Sequence, residues 1–98
     1  MTLEELKTKE GQILCHQGNH TLWMFKFLSI DYIFNDNNRV NLSTTLGLDI
    51  YPNVRFYMSP PNKNHKETLR LERISIPTKE QLNLYRNETR KVRILNKC

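Results

Sequence analysis

Apolar and polar positions alternate most regularly in the second quarter of the chain. In residues 23–28, Trp-Met-Phe-Lys-Phe-Leu, the three aromatic residues stand two positions apart and share one face of a strand. A less regular alternation continues beyond this segment, turns at 35–38 and returns in 39–43, which predicts a hairpin. Aromatic residues on an exposed strand can stack nucleic-acid bases. Because a small domain needs their area for its core, Trp23, Phe25 and Phe27 are predicted to be buried instead.

Shorter alternations predict three further strands, at residues 12–17, 50–58 and 68–76. Gly47 interrupts the chain before the second of these, and Pro52 confines its start to an edge or a bend. In the third, the leucines occupy odd positions, 69 and 71, and the isoleucines even positions, 74 and 76. In a regular strand the two pairs would point to opposite faces, so a bulge or bend is expected between them. Residues 59–66 contain two adjacent prolines and are predicted to form a polar loop.

Two capping boxes mark the starts of helices. Thr2 with Glu5 predicts a short helix over residues 3–9, ended by Gly11. Thr78 with Gln81 predicts a second helix that begins at residue 79 and continues toward the C-terminus. The apolar stripe of this second helix recurs at spacings of three and four and consists of Leu82, Tyr85, Thr89 and Val92.

Basic residues are expected to occupy the opposite side of the C-terminal helix. At 100° per residue they stay within a band about 60° wide, and they are Lys79, Arg86, Arg90, Arg93 and Lys97. Arginine suits bidentate contact with phosphate, so the band is a candidate anion-binding surface. The alternative is a solvated face, in which the helix macrodipole favours cations near the C-terminus. Lys63 and Lys66 in the predicted loop are further candidates.

The order of elements predicts an α+β fold. A short N-terminal helix, four or five antiparallel strands and an amphipathic C-terminal helix suggest a small curled sheet or barrel. The 98 residues are enough for a single domain covering residues 1–98. Residues 1–38 carry a net charge of −2 and residues 39–98 a net charge of +7, so the basic half is the C-terminal one. An asymmetry of this kind favours an anionic partner: a protein, a nucleic acid or a nucleotide.

The cellular compartment is predicted from the N-terminal sequence, from the length of the apolar runs and from the positions of the two cysteines. The acidic start of the chain is unlike a secretory signal, and no apolar run is long enough for a membrane span. Cys15 lies in an apolar stretch and Cys98 is the last residue, an arrangement unlike a disulfide framework. A cytoplasmic protein without membrane contact is therefore expected. The oligomeric state stays open.

Candidate chemistry is confined to a few residues. Cys15, His16 and His20 lie within six positions, but a zinc site needs four ligands and no second pair follows. Cys15 is predicted to fill the core, and neither a metal nor a cofactor is expected. The chain contains no phosphate-binding loop, catalytic triad or paired-carboxylate motif. A non-catalytic protein is expected, although a small ribonuclease that uses His16, His20 and His65 stays open.

Three segments carry a resemblance to short bacteriophage and mobile-element proteins. They are Leu-Glu-Glu-Leu at 3–6, Trp-Met-Phe-Lys-Phe at 23–27 and Ile-Pro-Thr-Lys-Glu-Gln-Leu at 76–82. The resemblance implies an accessory inhibitor, for instance an anti-defence protein that blocks a nucleic-acid-handling host protein or captures a nucleotide. The alternatives are a module that binds nucleic acid directly and a toxin-type ribonuclease.

Overall fold

The computed structural model describes residues 1–36, 38–50, 56–58 and 64–96, with the backbone alone at 56–58 and 92–96. Its elements follow the predicted order of helix, strands and helix. They are α1 (Leu3–Lys7), β1 (Ile13–Gln17), β2 (Leu22–Ile33), β3 (Arg39–Ile50), β4 (Phe56–Met58), β5 (His65–Arg70), a 3₁₀ turn (Leu71–Arg73), β6 (Ile74–Ser75) and α2 (Lys79–Asn96). The α+β prediction is confirmed.

The strands form one antiparallel sheet with the order β4-β3-β2-β1-β6. β5 pairs with the first half of β3, from Arg39 opposite Arg70 to Thr44 opposite His65, and β4 pairs with its last three residues. β5 and β6 thus lie on opposite edges, although only the three-residue 3₁₀ turn separates them. The sheet must curl for so short a connection to cross it. No pairing joins β5 to β6 in the described part of the chain, so the sheet stays open and is not a barrel.

The long β2–β3 ladder contains three irregularities. Leu28 and Asp31 are extra residues on β2, and Leu46 with Gly47 opposes the single residue Phe25. Leu46 has a positive φ of 56°, an uncommon backbone conformation for a residue with a side chain. Such bulges bend and twist a strand pair. The bulge at Leu46 also lets β3 face one core with its first half and the other core with its second half.

The bulge corrects the predicted interruption at Gly47. β3 continues through this glycine to Ile50, because a bulge absorbs the extra residue without ending the ladder. The strand predicted over 50–58 is present only as β4, at 56–58, and residues 51–55 lie outside the described residues. The strand predicted over 68–76 begins earlier, at His65, and the expected bend within it is the 3₁₀ turn.

Apolar residues are buried on both faces of the sheet. On one face, α1 and the 3₁₀ turn cover a cluster that includes Phe25, Phe27 and Leu42, with Trp23 packed at its margin. Trp23 stacks on Phe25 at a ring-centroid distance of 4.4 Å. The predicted burial of the aromatic strip is therefore confirmed for the two phenylalanines, and the tryptophan is half-buried.

The second cluster lies on the other face and attaches α2 to the sheet. It consists of Cys15, Met24, Leu46, Leu48 and Tyr85. The Tyr85 hydroxyl donates a hydrogen bond of 2.6 Å to the Leu46 carbonyl oxygen. At the start of the helix, Gln81 Oε1 accepts from the Thr78 amide at 2.8 Å and from Cys15 Sγ at 3.7 Å, so the capping box also contacts the sheet. None of the described helices is long and apolar enough to span a membrane.

Candidate anion-binding surface

Three of the predicted basic residues lie along the exposed side of α2. Lys79, Arg86 and Arg90 are all exposed, and at 1.5 Å per residue their Cα atoms extend over about 16 Å of helix. The capping box and the buried Tyr85 fix the helix on the sheet, so the row has a defined position. We call these three residues the cationic row.

Ion pairs involve several charged residues of the described part of the chain but none of the cationic row. Five pairs form among the described residues, for example Lys7 with Glu4 and Lys91 with Glu88. No carboxylate of the described residues lies within 4.0 Å of a charged nitrogen of the cationic row. Its positive charges are therefore available to an external anion.

The other predicted basic residues stand differently. Lys66 lies on β5 and not in a loop, and its ammonium is 3.6 Å from the Asp31 carboxylate, although its side chain is 73% exposed. Arg93 lies on α2, but only its backbone is described. Lys63 and Lys97 lie outside the described residues. These three remain candidates from the sequence alone.

The cationic row adjoins the docked side of α2 and does not lie opposite to it. At 100° per residue its mean direction is about 90° from that of Leu82, Tyr85 and Thr89. Arg86 accordingly lines two hollows between α2 and the start of β1, together with residues of the docked side. One part of the row thus faces open solvent, and Arg86 also faces a groove.

The groove consists of these two neighbouring hollows, which share Gly11, Ile13 and Arg86. The first has a volume of about 210 Å³ and includes Lys26, Leu46, Tyr85 and Thr89 in its lining. The second has a volume of about 320 Å³ and is lined in addition by Gln12, Ile76, Pro77 and Leu82. Lys26 is half-buried, because it shares the α2-facing side of β2 with Met24.

Cys15, His16 and His20, which are close in sequence, differ in their burial. Cys15 is fully buried, and burial raises the pKa of its thiol to about 11, so the thiol is protonated near neutral pH. Burial, and secondarily the charge of Arg73, lowers the pKa of His16. His20 is exposed in the β1–β2 turn, and His65 begins β5. Within the described residues no three His, Cys, Asp or Glu side chains gather in a metal-binding group.

Of the residues that line the groove, the sequence analysis proposed only Arg86 as a binding residue. Lys26 and Ile76 are the clearest omissions, and Ile76 is 57% exposed, an unusual state for a large aliphatic side chain. A lysine within a strongly apolar strand was the available signal for Lys26. Comparison with known proteins finds no matching family model, no matching curated protein and no matching solved structure.

Proposed function

We propose that the protein is a non-catalytic binding protein that uses the cationic row of α2 to engage an anionic partner. In this proposal it acts as an accessory inhibitor of the bacteriophage anti-defence type, which blocks a nucleic-acid-handling host protein or captures a nucleotide. The observation that carries the proposal is the row of three exposed cations without counter-ions among the described residues, held on a helix whose position is fixed.

Uncompensated charge on a fixed element favours binding for a physical reason. Five of the described Lys and Arg side chains form ion pairs, whereas the three of the cationic row form none within the described residues. Because the helix is held on the sheet, the spacing of the three cations is set before an anion arrives, and no ordering of the helix has to accompany binding. They also steer the approach of a negatively charged partner.

Direct binding of nucleic acid is the second candidate, and the linear arrangement of the row favours it. A row of about 16 Å can follow several consecutive phosphates of one strand, which are about 3.4 Å apart along the duplex axis. Three phosphate contacts would give a log–log dependence of affinity on salt concentration with a slope of about −2 to −3. A protein partner with a mixed interface would depend less steeply on salt.

Capture from a bacterial lysate by charge variants tests the role of the row. Lys79→Glu with Arg90→Glu removes two of its cations and leaves Arg86 in the groove unchanged. Lys7→Glu with Lys91→Glu makes the same change in net charge at exposed positions that are paired with their own neighbours. The row variant should lose the captured partner, and the control should retain it, with both proteins folded by circular dichroism.

Nuclease treatment of the lysate then separates the two candidates. Capture that survives the treatment identifies a protein or nucleotide partner, whereas capture that is lost and follows the steep salt dependence identifies nucleic acid. Equal capture by the row variant and the control would refute any role for the cationic row.

A further inference from the structure

The groove beside α2 combines two features that a single class of ligand would match. Its first hollow, of about 210 Å³, is lined by two cations, Lys26 and Arg86. Its second hollow, of about 320 Å³, has an apolar lining that includes Ile76, Pro77 and Leu82. Arg86 stands between the two and lines both.

The first hollow carries positive charge without a local counter-ion. Among the described residues, no acidic side chain contributes to the lining of either hollow. Lys26 is half-buried and makes no ion pair within the described part of the chain. An anion in this hollow would face two cations at once. The planar fork of Arg86 can donate two hydrogen bonds to one phosphate, and the ammonium of Lys26 can add a third contact.

The second hollow fits an aromatic ring better than a second phosphate. Four of its lining residues are apolar, namely Ile13, Ile76, Pro77 and Leu82. The exposure of Ile76 would fall if a flat ring lay against it, and burying this apolar surface is favourable. The volume is at the lower end of the range of small-molecule sites, about 300 to 1,000 Å³. The side chain of Gln12, which also lines this hollow, offers a donor and an acceptor to a ring edge.

We infer that the groove binds a nucleotide, with its phosphate between Lys26 and Arg86 and its base against Ile76, Pro77 and Leu82. This site rests on the proposed function in that Arg86 belongs both to the cationic row and to the groove. The nucleotide site also involves Lys26 and the apolar hollow, neither of which takes part in the proposed binding by the cationic row. The phosphate could belong to a free nucleotide or to the terminal nucleotide of a strand.

Calorimetric titration with defined ligands tests the site in the 98-residue protein. The four nucleoside 5′-monophosphates are titrated singly, beside inorganic phosphate, the corresponding nucleosides and a short single-stranded oligonucleotide. At least one monophosphate should bind saturably and more tightly than either its nucleoside or phosphate. Tighter binding of the oligonucleotide would identify a strand terminus as the source of the nucleotide. Absence of saturable binding by every mononucleotide up to about 1 mM would overturn the inference.

Three variants assign the two ends of the ligand. Lys26→Gln should weaken binding of the monophosphate by roughly tenfold or more, as expected when a charge-assisted contact is lost, and Lys26→Arg should retain most of it. Ile76→Ser should weaken binding of the monophosphate but not of inorganic phosphate. Wild-type affinity in Lys26→Gln would refute the placement of the phosphate. An equal loss of affinity for phosphate and nucleotide in Ile76→Ser would refute the placement of the base.

Arg90→Gln separates this inference from the proposed function, because Arg90 belongs to the cationic row but lines neither hollow. This variant should bind the monophosphate as the wild type does and should capture less of the lysate partner. If no nucleotide binds while Arg90→Gln still weakens capture, the groove inference fails and the proposed function stands. If a nucleotide binds and capture does not depend on Arg90, the groove is a site and the proposed role of the row fails.

Discussion

Replacing Tyr85 by phenylalanine tests how α2 is held on the sheet. The tyrosine hydroxyl donates to the Leu46 carbonyl at 2.6 Å, and both residues are almost fully buried. Leu46 belongs to the bulge of β3, where two residues oppose one on β2. Without the hydroxyl this carbonyl loses a buried hydrogen bond, and an unsatisfied buried polar group costs about 1 to 3 kcal/mol. A loss of about 2 kcal/mol should lower Tm by roughly 8 to 16 °C in a domain of this size.

Urea unfolding followed by the fluorescence of Trp23, with a calorimetric scan as a second probe, measures this loss. Tyr32→Phe is the matched control, because it removes the same hydroxyl from a side chain that is 55% exposed. The control should stay within about 0.5 kcal/mol of the wild type, as surface changes usually do. If Tyr85→Phe is no less stable than Tyr32→Phe, the hydrogen bond does not stabilise the docked helix and the reasoning is wrong.

Two further predictions concern the backbone at Gly11, before β1, and the side chain of His16 within β1. Gly11 has a φ of +83°, and a Cβ there would meet no atom within 4 Å. Gly11→Ala should therefore lower the free energy of unfolding by about 1 kcal/mol, from backbone strain alone. Gly11→Asn should lower it by less in the same urea titration, because asparagine tolerates a left-handed backbone better. Burial, followed by the charge of Arg73, lowers the pKa of His16 below 6.5, so the folded state binds fewer protons than the unfolded state. The free energy of unfolding should therefore fall as the pH decreases below about 6.5, and His16→Gln should reduce this dependence between about pH 7.5 and pH 5. Parallel pH profiles of the wild type and His16→Gln would contradict this origin of the effect.

Local patterns predicted the elements that depend on neighbouring residues. Both capping boxes form with the expected partners, and α2 begins at Lys79 as predicted. The alternation in β2 correctly placed Phe25 and Phe27 in a core. The apolar residues change from odd to even positions after Leu71, and this change correctly indicated a break in the strand. These features arise from hydrogen bonds and side-chain directions within a few residues, so the sequence carries them directly.

Features that depend on strand pairing were predicted less well. Gly47 looked like an interruption, because only the ladder with β2 reveals that β3 bulges there and continues. Lys66 looked like a loop residue, because only its pairing with Ser43 places it in β5. The arginines of α2 were expected opposite the docked stripe, whereas the cationic row adjoins it and brings Arg86 to the groove.

The sequence by itself determined which segments coil, which extend and where the positive charge concentrates, since periodicity and capping act over a few residues. Only the tertiary structure decided that the sheet buries both faces, that the 3₁₀ turn crosses it, and that Lys26 meets Arg86 in one groove. The physical reason is the separation along the chain. Lys26 and Arg86 are brought together by the pairing of β2 with β3, which sets Lys26 opposite Thr45, and by the docking of Tyr85 on Leu46. These are contacts between distant residues that no local pattern encodes.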